Sequence, residues 1–283
     1  REEAASLLRE SVRMPLVSDV PLGAFLRGGM ASGRVVALMS EYSNGPVKTF
    51  SIGYGEEDAS YNELTSARMV ADAFGTDHHE FVLQPDVVSL LPEIIRAIGE
   101  PFADSSAIPT YLISRETRRH VTVALSGIGG DEVFTGYPRY LGARLSRIYD
   151  AVPCYIRRHL FSPLTDRLPD SIRSRNVTGW IKRFARGGLL DPVSRYLSWI
   201  SFFSPEMKSG LYSDDFKELL ARHNETDIHR TFLDQDSKLD YVQRVSYMDL
   251  NTYLPDDLLL MGDAMRMAHS LELRVPFCDH KLL

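Results

Sequence analysis

Hydrophobic positions in the first half of the chain switch repeatedly between two spacings. Residues 1–14 (REEAASLLRESVRM) place Ala5, Leu8 and Val12 on one face of a short amphipathic helix. Residues 22–26 are a compact apolar run suited to a buried strand, and residues 34–42 carry Val35, Val36, Leu38 and Met39 at helical spacing. A second strand is expected over 48–54 (KTFSIGY), a helix over 61–74 that Gly75 stops, and a third strand over 79–83. Asp86 is placed to cap a helix in which Val87, Leu90, Leu91, Ile94, Ile95 and Ile98 share a face, and Gly99 ends it. A polar loop at 100–107 leads to a helix over 108–120 with Pro109 in its first turn, then to the apolar strand 121–125 (VTVAL). This alternation predicts an α/β fold: a parallel twisted sheet with helices on both faces.

From Tyr140 onward the alternation stops. Helices are expected over 195–203, 216–223 and 242–253, and residues 253–260 (YLPDDLLL) lead into 261–270 and the segment 271–280 (LELRVPFCDH). The expected organisation is a nucleotide-binding α/β core over 15–140 followed by a helical extension over 141–283. The stretch 149–191 is basic and proline-punctuated, with Arg157, Arg158, Arg167, Arg173, Arg175, Lys182, Arg183 and Arg186. Such a run reads as a solvated face or as a surface for an acidic substrate or partner.

Composition narrows the class. The 283 residues are 44% hydrophobic and 25% charged, as in an ordinary globular protein. A net charge of -6, from 38 acidic against 32 basic residues, argues against nucleic acid as a partner. No apolar run approaches the ~20 residues a membrane span needs, and no leader is visible. Two cysteines, Cys154 and Cys278, are too few for a disulfide framework, which suggests a reducing, cytoplasmic setting. Both lie beside apolar or aromatic residues and read as packing residues. The chain starts at Arg1 and stops at Leu283 in mid-pattern, so a longer protein is expected.

In parallel sheets ligands bind beyond the carboxyl ends of the strands. That rule selects loops 27–33, 53–60 and 126–136. The first holds Gly28 and Gly29 in tandem before a helix, either a plain tight turn or an anion site made by glycine backbone and a helix N-terminus. Its spacing fits neither G-x-x-x-x-G-K-[ST] nor G-x-G-x-x-G. The third reads SGIGGDEVFTGY and carries Asp131 and Glu132. Two such loops facing one crevice would supply a phosphate cradle and a metal-binding carboxylate. His78 and His79 have no cysteine or paired acid at ligand spacing. Asp104 and Ser105 read as substrate contacts or as loop caps. Asp256 and Asp257 read as paired carboxylates or as a helix start after Pro255. Glu272 and Arg274 read as a structural ion pair.

Taken in order, DVPLGAFL with the glycine pair, TFSIGY, GTDHHE, EPFADSSAIPTYLISR, VALSG-GGDEVF-GYPRY, YLPDDLLL and AHSLELRVPF-DH resemble the synthetase domain of glutamine-dependent asparagine synthetases, over residues 19–280. The resemblance implies an adenine nucleotide alpha-hydrolase-like fold. It implies ATP and Mg2+ as reactants. It implies adenylation of an aspartate side-chain carboxylate, then displacement of AMP by ammonia that a glutaminase domain of the full-length chain takes from glutamine. Partners implied are ATP and a small aspartate-like carboxylate, with no nucleic acid, no membrane, and a homodimer left open. Position by position, the family's pyrophosphate loop falls on 27–33, where Gly28, Gly29 and Ser32 match and Arg27 stands first. Phe25 and Leu26 match the strand end that contacts nucleotide, Ile52 the adenine side, Ser126 and Gly127 the AMP contacts, and Asp131 a magnesium carboxylate.

The departures concentrate on phosphate, metal and acid–base positions. Ala31 stands for the other magnesium carboxylate, Arg27 and Gly33 for hydroxyl residues, and Ile128 for an acidic residue. Met261 and Ala264 occupy positions expected to be basic, and Arg266 one expected to be small and hydroxylic. The family's catalytic lysine would lie beyond Leu283. Arg27 either meets phosphate directly or points to solvent. A positioned general acid or base contributes ~100- to 10,000-fold in rate, so this chain is expected to fold like the enzyme with weak or no catalysis. The alternative is a pseudoenzyme that binds nucleotide or a protein partner.

Overall fold

The computed structural model describes residues 2–54, 63–83, 86–169, 177–222, 226–234 and 238–283. The acidic loop expected at 56–58, the first residues of the helix expected over 61–74, Arg173, Arg175 and His223 lie outside the described residues. The chain divides into two compact units, Arg1–Phe134 with Tyr253–Leu283, and Thr135–Thr252.

The first unit runs α1 (Glu2–Arg13), β1 (Leu22–Phe25), α2 (Met30–Tyr42), β2 (Lys48–Tyr54), α3 (Leu64–Phe74), β3 (Asp77–Leu83), α4 (Val87–Ile98), α5 (Ala107–Thr117) and β4 (Val123–Leu125). It closes with the Leu260–Met267 helix and β5 (Glu272–Arg274). The five strands form one sheet in the order β3-β2-β1-β4-β5. Every pairing is parallel, with Gly23 opposite Lys48 on one side of β1 and Ala124 on the other. Successive residues of a strand point to opposite faces, and both faces are buried here. Ala24, Leu26 and Leu125 pack into a cluster with Leu8, Val12, Val35, Val36 and Met39 of α1 and α2. Phe25, Phe50 and Ala124 pack oppositely with Ile113 of α5 and Leu271. The α/β expectation with helices on both faces is met. The local signals also hold: Asp86 accepts from the Ser89 amide, and Gly75 and Gly99 close α3 and α4.

The helical extension expected over 141–283 ends earlier. Residues after Tyr253 rejoin the α/β unit, and β5 pairs with β4. The alternation of Leu271, Leu273 and Val275 carried a period-two signal, but three residues at the end of a long helical stretch are too few to read as a strand alone. The wide π-helical turn Leu254–Leu259, begun by Pro255, feeds the Leu260–Met267 helix. Asp256 and Asp257 therefore sit at a helix start.

The second unit is helical, with a core of Tyr140, Ala143, Val193, Tyr196, Leu233, Val245 and Met248. The fully buried Asp249 accepts from Arg139 at 3.0 Å and from the Tyr140 hydroxyl at 2.7 Å, and the Tyr196 hydroxyl donates to it as well. Desolvation together with that carboxylate pushes the Tyr196 phenol well above its usual range. Part of the basic stretch is consumed internally: Arg157 pairs with Asp150, and Arg186 with Asp166. Asp150 also receives both ends of the buried Arg195 fork at 2.8 Å. Cys154, expected to be packed, is exposed, because its three-residue helix has no buried face. Among the described residues no helix is long and apolar enough to cross a membrane.

Arg274 ties β5 to the chain ahead of β1. Its Nη1 donates to the carbonyls of Pro15 and Val17, and its Nε to Glu272 at 2.7 Å, as the ion-pair expectation required. Hydrogen bonds to a charged group each contribute about 1.5–3 kcal/mol. Arg274→Met is expected to lower the unfolding free energy by about 1–3 kcal/mol in urea denaturation. An unchanged midpoint would show that β5 is held by its ladder alone.

Candidate functional site

Strand order locates the crevice. The neighbours of β1 are β2 on one side and β4 on the other, so the direction of winding reverses between β1 and β4. Open α/β sheets bind ligands outside the carboxyl ends of their strands at such a switch point. The two segments that leave those strand ends are the glycine-rich stretches 27–33 and 126–136.

The first is shorter as a loop than expected. α2 begins at Met30 with Gly29 as its N-cap, so residues 30–33 are already the first helical turn. Four residues, 26–29, suffice to reverse the chain because Gly28 adopts φ +50, and a Cβ there would sit 2.4 Å from that of Ser66. The Arg27 amide donates to the Ser32 hydroxyl at 3.2 Å, and that hydroxyl donates to the Gly29 carbonyl at 3.3 Å. Ser32 therefore staples the turn. Gly29 has no side chain, and no side-chain cap bond is made at this end of α2. Arg27 is 78% exposed and lies 3.6 Å from the Glu63 carboxylate, closer to the solvent alternative than to a fixed anion contact.

The second segment lies directly against the first. A Cβ on Gly127 would fall 2.8 Å from the Ser32 amide nitrogen, and one on Gly130 would fall 2.8 Å from the Ala31 methyl. Ser126 is buried at the end of β4, and its hydroxyl accepts from the Ile128 amide at 3.3 Å. Residues 130–133 form one helical turn rather than loop (Gly130–Val133), which splits the expected carboxylate pair. Asp131 is exposed and Glu132 is 99% buried, because adjacent helical positions face about 100° apart.

The other expected residues sort by what already holds them. Leu26 is fully buried; its amide donates to Phe50 and its carbonyl accepts from the Ser51 hydroxyl. Phe25 is buried on the opposite face, and Ile52 packs partly buried beside it. Asp104 accepts from the amide and the hydroxyl of Ser106, both at 2.8 Å, which makes it a turn cap ahead of α5, and Ser105 is exposed. His78 and His79 lie within β3, and the His79 ring stacks on Phe50. Burial lowers the affinity of His78 for a proton. Among the described residues no group of three or more His, Cys, Asp or Glu side chains is placed to hold a metal ion. Asp131 is exposed, and Ala31 presents only a methyl toward Gly130.

One buried charge leaves no trace in the pattern. Arg266, noted only as a departure, is 94% buried and its guanidinium lies 4.9 Å from the centroid of the Phe25 ring. A lone arginine among MGDAMRM gives no sign of that burial.

The chain matches the family model described as asparagine synthase over residues 3–283. It is 32% identical over 283 residues to asparagine synthetase [glutamine-hydrolyzing] 1 of Bacillus subtilis, covering 98% of this chain and 42% of that protein. It is 26% identical to asparagine synthetase [glutamine-hydrolyzing] 3 of the same organism, covering 98% of this chain and 40% of that protein. Asparagine synthetase B [glutamine-hydrolyzing] of Escherichia coli is 31% identical over 156 residues, 48% of this chain and 27% of that protein. The chain thus spans about two fifths of the length of the curated relatives it matches from end to end.

The contact between the two segments is testable by a double-mutant cycle. Gly130→Ala forces a methyl against Ala31 and is expected to cost about 1–3 kcal/mol in thermal or urea unfolding. Ala31→Gly should return part of that loss, and strict additivity would place the two sites out of contact. Cysteine reactivity gives a second test. Cys278 packs against Gly129, and burial pushes its thiol up to about 11, whereas Cys154 is exposed. Iodoacetamide at pH 8 is expected to label Cys154 first, and Cys154→Ser to abolish the fast phase, since only the thiolate reacts.

Proposed function

The chain belongs to the asparagine synthase family, and from that premise we propose that it is the carboxylate-activating part of an ATP-dependent, amide-forming ligase. MgATP enters as substrate at the switch point between β1 and β4. The backbone around Gly28 and Gly29 and the open first turn of α2 meet polyphosphate oxygens, with Arg27 alongside. Ser126 and Gly127 meet the AMP portion, and the strand ends at Phe25, Leu26 and Ile52 form the adenine side. A side-chain carboxylate oxygen of an aspartate-like acceptor attacks the α-phosphorus, and pyrophosphate leaves with the bridging oxygen. Ammonia then attacks the acyl carbon, and AMP leaves with the carboxylate oxygen. A glutaminase domain of the full-length protein supplies the ammonia. Asp104 shapes the turn that carries Ser105 toward the acceptor side. The setting is cytoplasmic. The metal belongs to the MgATP substrate, with Asp131 as its nearest protein carboxylate, and no step is assigned to it.

One observation carries this reading: the two glycine segments at the switch point are in backbone contact, with room for no side chain at Gly127 or Gly130. Fixed amides and a helix N-terminus stabilise spread phosphate charge without reorganising as the reaction proceeds. A second reading is a pseudoenzyme that binds nucleotide without chemistry. The Ala31 methyl and Ile128, where carboxylates are expected, favour it.

Two measurements separate the readings. Calorimetric titration of MgATP is expected to detect binding, tightened about tenfold by Ala31→Asp with Ile128→Asp, since one added charge contact contributes about 1.4 kcal/mol. ATP–pyrophosphate exchange with aspartate in the full-length protein is expected to run ~100- to 10,000-fold below that of the same double variant. Binding with no exchange in either protein supports the pseudoenzyme. No MgATP heat in either removes the nucleotide site altogether.

A further inference from the structure

Arg266 is charged, buried and under-partnered. Its side chain lies on the face of the Leu260–Met267 helix shared with Gly262, where Nη1 donates to the Gly262 carbonyl at 2.6 Å. Its Nε is buried and has no hydrogen-bond partner. Asp263, whose negative charge acts on it, is exposed on the same helix and makes no ion pair with it. Desolvation pulls the guanidinium down to about 10, far below its ordinary value. A charge held in this way is costly unless an anion completes it.

The position of the group says where the anion would lie. The Phe25 ring, last residue of β1, stacks on the guanidinium. The Ile128 side chain comes within 3.4 Å of the place a Cβ of Gly262 would take. That same Cβ would be 2.9 Å from Arg266 Nη1, so the glycine makes room for the fork. Arg266 thus stands at the carboxyl ends of β1 and β4, beside the residue that replaces an expected acid. The two expected basic positions on its helix are Met261 and Ala264, and Met261 is buried in an apolar cluster with Ile94, Ala107 and Tyr111. Within this helix the Arg266 guanidinium shares the face of Gly262 and meets the Phe25 ring at the end of β1.

We propose that Arg266 is an anion hook of this crevice: backed by Phe25, its unpaired donors hold an oxyanion of the ligand, a carboxylate of the acceptor or a phosphoryl group of the nucleotide. The inference deepens the reading of the site given above and rests on it for the identity of the ligands. A planar fork fixed against an aromatic face loses little freedom on binding and favours bidentate oxygen pairs.

The test compares the full-length protein with Arg266→Met and Arg266→Lys, by calorimetry with aspartate, AMP and inorganic pyrophosphate in turn. Arg266→Met is expected to keep or raise the ligand-free melting temperature, because it removes an unpaired buried charge. It should weaken one class of ligand by roughly 10- to 100-fold, the value of a lost charged hydrogen bond. Loss confined to aspartate assigns the hook to the acceptor carboxylate; loss confined to AMP or pyrophosphate assigns it to phosphate. Wild-type affinity of Arg266→Met for all three overturns the proposal, as does the absence of any oxyanion binding by the wild-type protein. If Arg266→Met does not fold, Arg266→Lys decides, since it keeps the charge and loses the fork: weakened binding supports the hook and unchanged binding overturns it. MgATP titration in the same series separates the two ideas. MgATP binding that is indifferent to Arg266 together with wild-type oxyanion affinities removes the hook alone. Arg266-dependent aspartate binding without MgATP binding removes the nucleotide reading alone.

Discussion

The α/β unit depends on one close approach of backbone to backbone. The segment after β4 lies on the first turn of α2 so closely that a single methyl at Gly127 would meet the Ser32 nitrogen, and one at Gly130 would meet Ala31. Protein interiors transmit such contacts because they are packed without slack. Three separate features follow from it. The turn after β1 must reverse within four residues, which Gly28 permits by its positive φ. Ser32 must face inward and staple that turn. The Gly130–Val133 turn must start where it does, which buries Glu132 and leaves Asp131 outside.

Charge is arranged around this contact in an unusual balance. Carboxylates are absent at 31 and 128, while a helix N-terminus, the exposed Arg27 and the buried Arg266 supply positive potential. A site built this way offers fixed donors to an incoming anion and few protein oxygens to a cation. Under the function proposed above, its chemistry would lean on the ligand for negative charge and on the nucleotide for its metal, in contrast to a site whose carboxylates position the ion beforehand. That difference separates strong binding from fast turnover, and it lies entirely in side chains, since the backbone contacts are kept.

Much of the fold was legible in the pattern. The strands at 22–25, 48–54 and 123–125 and the helices capped by Asp86 or closed by Gly75 and Gly99 follow from hydrophobic period and local cap chemistry. These signals are local, and neighbours in sequence decide them. The return of β5 to the sheet was not legible, because a three-residue strand is stabilised by its partner β4 rather than by its own propensity. The start of α2 at Met30 was obscured for a related reason: Gly29 and Gly33 weaken the helical signal, and tertiary contact restores it. At the site, the glycine segments follow β1 and β4 as the spacing indicated, Asp104 accepts from Ser106 ahead of α5, and the burial of Arg266 has no counterpart in the pattern.

By itself, then, the sequence determined the class of fold, the loops that flank the crevice and the family to which the chain belongs, because these rest on spacing and residue type. Only the tertiary structure decided which residues share that crevice. Strand order put β1 beside β4 across almost 100 residues of chain, and it brought Arg266 from the far end of the chain to the end of β1. Whether a buried cation is a defect or a binding group depends on what surrounds it in three dimensions, and sequence neighbours carry no record of that.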